Sequence, residues 1–399
     1  MNATAELSEL ESVRPAEFAG RAFWGVMISF VVHGLVVSTW VSRIASIKTL
    51  LRMGDGALGL ALLGTAIGSI AAIPVCGGLV TRFGSRNIVR WTGVGFCLVM
   101  ILPAVAWNWW TLFIALLSYG AFAGANDVAI NAQAVGTERL LGSSTMSRFH
   151  AMFSLGGIAG ATAGALIAST GLPPLAHFLA AASVCLCFAF LGPRWMADTR
   201  QTVSGRAHAS FRNIPPSLVA LSAIGFCIFL SEGAIADWTG VYLKQVLHAS
   251  DGLAPMGYAV FSAAMAIFRF AGDAIIDRIG RVATIRIGGL LAAGGIALAV
   301  ASQSTALAMV GFAAAGAGFS SIIPIVFAAG GRINSLAEGA GVATVSGIGY
   351  LGFLAGPPAI GFISEMGSLR LGLALLAILS LSATVLVGVL DRSDRTILR

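Results

Sequence analysis

The amino-acid sequence predicts an all-α membrane protein with twelve transmembrane helices in two pseudo-symmetric six-helix halves. Three observations lead there. Hydrophobic residues make up 57% of the 399 and charged residues only 10%, where a soluble chain carries roughly 25% charged. Twelve apolar runs each reach the roughly 20 residues that cross a bilayer core about 30 Å thick. The last six runs repeat features of the first six at a nearly constant spacing. So few charges cannot cover a water-facing surface, which excludes a soluble enzyme, a disordered chain and a secreted disulfide scaffold.

In chain order the runs are 22–47, 57–80, 87–106, 109–136, 148–170, 173–192, 214–244, 253–276, 282–301, 305–330, 339–364 and 370–390. With the N-terminus in the cytoplasm, 18 of the 24 Lys/Arg fall in cytoplasmic segments, 5 in outer loops, and Arg269 lies within a span. This is the positive-inside distribution, and it sets both termini in the cytoplasm. The net charge of +7 is spread in short arginine clusters between spans. A nucleic-acid face would gather it on one element. Glu6, Glu9, Glu11 and Glu17 stand where a signal peptide has its basic region, so the first helix is expected to be retained. Cys76, Cys97, Cys185, Cys187 and Cys227 all fall in apolar spans and read as small buried hydrophobes, with no metal-site spacing.

The segment 193–213, with Arg194, Arg200, Arg206 and Arg212 among Ser, Thr, Gly and Gln, has a linker's composition. It separates an N-terminal half (1–192) from a C-terminal half (214–399). Thr81-Arg82-Phe83-Gly84 corresponds to Asp277-Arg278-Ile279-Gly280 at an offset of 196, as do Gly156 and Gly160 to Gly352 and Gly356. His33-Gly34 corresponds to Glu232-Gly233 at 199, each followed by a tryptophan, Trp40 and Trp238. Parallel six-helix repeats are a transporter architecture, with the solute site between the halves near the midplane.

The loop Gly77-Gly78-Leu79-Val80-Thr81-Arg82-Phe83-Gly84-Ser85-Arg86 resembles the G-x-L-x-D-R-x-G-R-R turn of the major facilitator superfamily, without its aspartate and first arginine. The second copy, Asp273 to Arg281, keeps Asp277-Arg278-x-Gly280-Arg281. The resemblance implies a cytoplasmic gate built from Arg82, Arg86, Arg269, Asp273, Asp277, Arg278 and Arg281; alternatively these arginines serve topology alone. Gly124-Ala125-Asn126-Asp127-Val128-Ala129-Ile130-Asn131 is similar to the acid-x-x-x-Asn stretch of fucose permease-type sugar/proton symporters. Phe149-His150-Ala151-Met152-Phe153-Ser154-Leu155-Gly156 is similar to their paired phenylalanines and following glycine. Within the superfamily the chain looks most like the MosC-like, rhizopine-associated bacterial branch. That resemblance implies proton coupling through Asp127 and a sugar, cyclitol or amino-cyclitol as solute. The group's second key acid, on the first helix, has Val41 near its place.

An ionised side chain at the bilayer centre costs about 2.5–3.5 kcal/mol and calls for a partner or a wet cavity. Asp127 has an apolar counterpart, Ile323, at the repeat offset of 196 in the second half, which favours a proton carrier over a structural ion pair. Asn126 and Asn131 are candidates to bond solute hydroxyls, or else helix–helix contacts. Glu232 and Asp237 lie about 140° apart around one helix, beside Gly233 and Ala234, where the backbone is expected to bend. Glu232 is the candidate for solute or proton, and Asp237 for solute or for an outer contact with Arg43 or Lys244. Trp40, Phe153 and Trp238 offer faces for a sugar ring or an ammonium group. His33 and His150 titrate near neutral pH, the first as a solute ligand and the second in coupling, unless both are core histidines. Arg269 and Asp273, four apart, are expected to pair on one helical face.

The expected partners are a small polar solute, protons and membrane lipid, with no nucleic acid, cofactor or metal, and the chain is expected to act as a monomer. A drug/proton antiporter is the alternative within the superfamily, although the arginine such members carry on their fourth helix is Leu116 here and the fifth helix lacks a Gly-Pro pair. A membrane prenyltransferase would need Asp-rich Mg²⁺-diphosphate motifs, and Asn126-Asp127 supplies one carboxylate. No P-loop, GxSxG or HExxH element occurs, so neither ATP hydrolysis nor another enzymatic activity is expected.

Overall fold

Backbone polar groups in hydrocarbon have no water to bond, so an apolar chain of this kind satisfies them within helices. The computed structural model describes residues 3–143, 145–197, 215–333 and 340–393. They form fifteen helices: α1 (Ala3–Val41), α2 (Ile44–Leu50), α3 (Asp55–Phe83), α4 (Ser85–Val99), α5 (Trp109–Leu141), α6 (Met146–Ser169), α7 (Pro174–Leu191), α8 (Pro216–Gln245), α9 (Met256–Phe270), α10 (Gly272–Ile279), α11 (Arg281–Ala301), α12 (Thr305–Phe319), α13 (Ile322–Gly330), α14 (Ala340–Met366) and α15 (Leu369–Ser393). Eleven spans are long and apolar enough to cross a membrane, and α9 with α10, bent by 58°, makes the twelfth. Of the basic linker, residues 198–213 lie outside the described residues.

Local chemistry sets the ends. Asn108 caps α5, its Oδ1 accepting from Thr111 N at 2.8 Å while the Thr111 hydroxyl accepts from Asn108 N, so the helix starts at Trp109. Gly84 and Gly280, 196 residues apart, join α3 to α4 and α10 to α11 with φ of 81° and 78°. Only glycine enters that conformation without strain, and the repeated turn therefore has one geometry in both halves.

Close approach of helices follows the same repeat. In the first half α1 packs on α6, and a Cβ at Gly156 would stand 2.2 Å from the Val31 carbonyl oxygen. In the second half α8 packs on α14, and a Cβ at Gly352 would stand 2.4 Å from the Phe226 carbonyl oxygen. Small residues let the backbones touch where lipid supplies no hydrophobic drive. Across the seam between the halves, α3 meets α14, α6 meets α9 and α2 meets α8. These contacts include Gly59 against Pro357 and Gly361, Ser169 against Gly252, and Lys48 against Gln245. All three lie at the end opposite the arginine-rich turns.

Four expectations are corrected. The chain breaks at Ala271, so Arg269 and Asp273 sit on different helices and do not pair; Arg269 Nε instead donates to the Ser320 carbonyl (3.2 Å), at the break between α12 and α13. Asp237 contacts neither expected base. Arg43 donates to His177 Nδ1 and the Leu172 carbonyl, both at 3.0 Å, and Lys244 pairs with Asp251. The α8 helix runs unbroken past Gly233, whose missing side chain makes room for the Phe353 ring rather than a bend. Cys187 is exposed, while the other four cysteines are buried.

Candidate functional site

The α5 helix carries Asp127 at mid-span. Asn131, one turn on, donates from Nδ2 to the Asp127 carbonyl (2.9 Å) and to its Oδ1 (3.1 Å). This is the i, i+4 geometry of residues on one helical face. Asp127 is exposed, yet Tyr350 on α14 of the opposite half lies within its electrostatic reach. The gap between α5 and α14 is therefore open to solvent at the middle of the molecule. Since the seam is packed at the Lys48–Gln245 end, the cavity opens toward the arginine-rich end.

The second half supplies the facing wall. Glu232 and Asp237, both half-buried, project from α8. Tyr350 is in electrostatic contact with Glu232 as well as Asp127, and its ring stacks on Phe229 at 5.6 Å and 3°. Tyr258 on α9 lies beside the hydroxyls of Ser262 and Ser38, the latter on α1 across the seam, and is also within reach of Glu232 and Asp237. Tyr119 on α5 is within electrostatic reach of Tyr258 and Asp237 but is 2% exposed, its hydroxyl donating to the Val36 carbonyl (3.3 Å). Nearer the mouth, Arg269 interacts with both Glu232 and His150.

Asp127, Glu232 and Asp237 thus border the space between the halves, and among the described residues none of the three is held in an ion pair; the pairs Lys48–Asp55 and Lys244–Asp251 lie at the closed end. Unpaired carboxylates in a membrane interior persist only where water, a proton or a bound cation compensates them. Phenol hydroxyls beside them both donate and accept. The arrangement can hold a polar solute by hydrogen bonds from both halves, and it can take up and release protons.

Other expected site residues lie elsewhere. Asn126 is 2% exposed, donates from Nδ2 to His33 Nδ1 (2.9 Å) and accepts from the Thr92 hydroxyl (3.1 Å). His33 is wedged between the rings of Phe96 and Phe153, at 5.1 and 5.7 Å. Trp40 (3% exposed) packs near Tyr119, and Trp238 is wholly buried with its indole N–H unbonded. His150 is exposed on α6 with its ring 5.3 Å from Phe30. Of the gate residues, Arg82 is exposed over Phe83, and Arg86 donates to the Pro193 carbonyl (3.0 Å) within its own half. Asp273, Asp277 and Arg278 are exposed, and Arg281 is half-buried. Tyr119, Tyr258 and Tyr350 were not singled out in the sequence. Their signal was scarcity, since the chain has four tyrosines, of which Tyr258 and Tyr350 border the cavity and Tyr119 is packed behind it.

A twelve-span bundle with a cavity between two repeated halves is the architecture of a membrane transporter, not of an enzyme. The Major Facilitator Superfamily model matches residues 22–333 and 221–397, and the chain belongs to that family of small-solute transporters. It is 36% identical over 359 residues to an uncharacterized MFS-type transporter of Yersinia pestis, covering 89% of this chain and 92% of that one. It is 32% identical over 365 residues to the membrane protein MosC of Rhizobium meliloti, covering 90% and 87%. The crystal structure of a variant of the nucleoside transporter NupG superposes with a TM-score of 0.73 at 13% identity, covering 93% of this chain and 99% of that one. At that identity the likeness concerns the fold.

Proposed function

We propose that the protein is a proton-coupled secondary transporter of a small polar solute in a bacterial inner membrane. Both termini are cytoplasmic, the chain works as a monomer, and its two halves (1–192 and 214–399, joined by 193–213) rock about the central cavity. The observation that carries this reading is the set of three carboxylates held in no ion pair, Asp127 on the first half and Glu232 and Asp237 on the second, with Tyr350 within electrostatic reach of both Asp127 and Glu232. Acids from both halves around tyrosine hydroxyls suit a hydroxylated solute, and an amine on it would be attracted by the excess negative charge. The resemblance of the Asn126–Asn131 and Phe149–Gly156 stretches to sugar/proton symporters, and of the chain to the rhizopine-associated branch, favours sugars, cyclitols and amino-cyclitols. With the arginine-rich end in the cytoplasm, the conformation described is open inward. Asp127 carries the coupling proton, Glu232, Asp237, Asn131, Tyr258 and Tyr350 bind the solute, and the exposed Asp277-Arg278 turn closes the cytoplasmic side in the opposite state.

The test is uptake into proteoliposomes of labelled sugars, cyclitols and amino-cyclitols under an imposed pH gradient, inside alkaline. Accumulation of one class that a protonophore abolishes supports the reading. Transport of lipophilic cations with no response to any polyol would replace it with a drug/proton antiporter.

A further inference from the structure

The closed end carries a second group of charged residues that takes no part in the cavity. The α3 helix begins at Asp55 after Gly54, a cap residue with no side chain to accept from the first-turn N–H groups. Those groups require an acceptor when buried. It comes from the other half: Glu365 near the end of α14 accepts from Gly56 N through Oε2 at 3.0 Å, and its carboxylate lies against Gly54. A carboxylate is also the charge that a helix N-terminus attracts. One residue away, Lys48, 4% exposed, forms an ion pair with Asp55 and donates to Gln245 Oε1 of the second half at 2.5 Å.

We propose that Glu365 and Lys48 form a latch that holds this end shut, the first capping α3 from the opposite half and the second tying Asp55 to Gln245. Both ties converge on the Asp55-Gly56 step and both cross the seam, so separation of the halves here breaks them together. The glycine contact of Gly59 with Gly361 beside them brings the α3 and α14 backbones close enough for Glu365 to reach. Outward opening leaves the buried Gly56 N without its acceptor, while Lys48 keeps Asp55. The latch therefore sets the balance between the two conformations rather than the chemistry of the cavity.

This inference rests on the alternating-access reading, and the test separates the two. Spin labels at Trp107→Cys and Gln303→Cys, exposed positions at the closed end of opposite halves, are introduced into a cysteine-free full-length chain. Their distance distribution is measured in lipid nanodiscs without solute. The latch predicts that Glu365→Gln and Gln245→Ala each raise the long-distance population, and that Glu365→Ala raises its ratio to the short one roughly five-fold, the effect of losing one helix cap. Gly361→Leu is the control, because its added bulk meets the α3 backbone at Asp55 and forces the end apart. If Gly361→Leu lengthens the distance and the Glu365 variants do not, the latch is wrong. If no variant lengthens it, the halves do not separate and the alternating-access reading falls with the latch.

Discussion

Asn126 on α5 and His33 on α1 meet at 2.9 Å, and the same amide accepts from Thr92 on α4. Three helices of the first half are tied at this point, behind the face that carries Asp127. Adjacent residues on a helix point about 100° apart, so Asn126 turns into the half while Asp127 turns out of it. The pair is thus a positioning contact for α5. Removing it by Asn126→Leu leaves His33 without its partner in a site that is 6% exposed. The loss is expected to be about 1–2 kcal/mol in stability. Thermal unfolding in detergent should show a lowered Tm, while solute affinity per folded molecule changes little. A large loss of affinity at unchanged Tm would instead place Asn126 on the solute.

The correction at Ala271 gives a second prediction. Residues 269 and 273 would share a face on a continuous helix, but the 58° bend between α9 and α10 separates them. Arg269→Gln and Asp273→Asn should therefore act independently. In a double-mutant cycle on thermal stability their effects should add within about 0.5 kcal/mol. A larger coupling would show that the two side chains do pair in solution.

Repeat symmetry gives a third. Gly156 and Gly352 each sit against a carbonyl oxygen of the partner helix, at 2.2 and 2.4 Å from where a Cβ would be. Neither carbonyl can retreat without moving its helix, so Gly156→Val and Gly352→Val should both lower the yield of folded protein sharply. Gly142→Ala, where a Cβ meets open space but φ is +61°, should cost only the local strain of about 1 kcal/mol. Size-exclusion profiles of the three variants provide the comparison.

The twelve spans were legible because crossing a bilayer is a matter of length and composition, and each predicted run lies within a few residues of an apolar span, although α1 itself begins at Ala3, nineteen residues before the first run. The breaks at Ala271 and Ser320-Ser321 were not, since Phe-Ala-Gly and Phe-Ser-Ser read as ordinary stretches of a membrane helix. Asp127, Glu232 and Asp237 stood out because a carboxylate in an apolar run is costly. What composition could not supply was direction. Asn126 and Asn131 looked equivalent in the sequence, yet one is spent on His33 and the other supports Asp127. Trp40 and Trp238 have the chemistry of a sugar platform but are buried within their own halves. Tyr258, Tyr350, Lys48 and Glu365 were not singled out, because contacts between the halves depend on register across the seam.

Tyr350 offers a test of the cavity that leaves packing intact. Tyr350→Phe keeps the stack on Phe229 and removes only the hydroxyl between Asp127 and Glu232. The variant is expected to fold with an unchanged Tm and to bind solute several-fold more weakly. Equal affinity in wild type and variant, measured by isothermal titration, would remove Tyr350 from the binding surface.

The last prediction concerns coupling through Asp127. Its side chain is exposed to the cavity on the described side, faces Tyr350 of the other half, and keeps Asn131 as a hydrogen-bond partner one turn away. If the halves rock as proposed, the same carboxylate passes from a wet to an enclosed setting, and an enclosed acid holds its proton more firmly than a hydrated one. Under the proposed coupling, alternation would load the proton on one side and release it on the other. Asp127→Asn preserves the shape and the bond to Asn131 but has no proton to release. In proteoliposomes it should abolish accumulation driven by a pH gradient and leave solute counterflow, which needs no net proton movement, close to the wild-type rate. A merely structural acid would give the opposite pattern, with both activities falling together alongside the yield of folded protein. Full gradient-driven accumulation by Asp127→Asn would dismiss Asp127 as the carrier. The role would then pass to Glu232, whose neighbours Arg269 and Tyr350 make Glu232→Gln the next variant to measure.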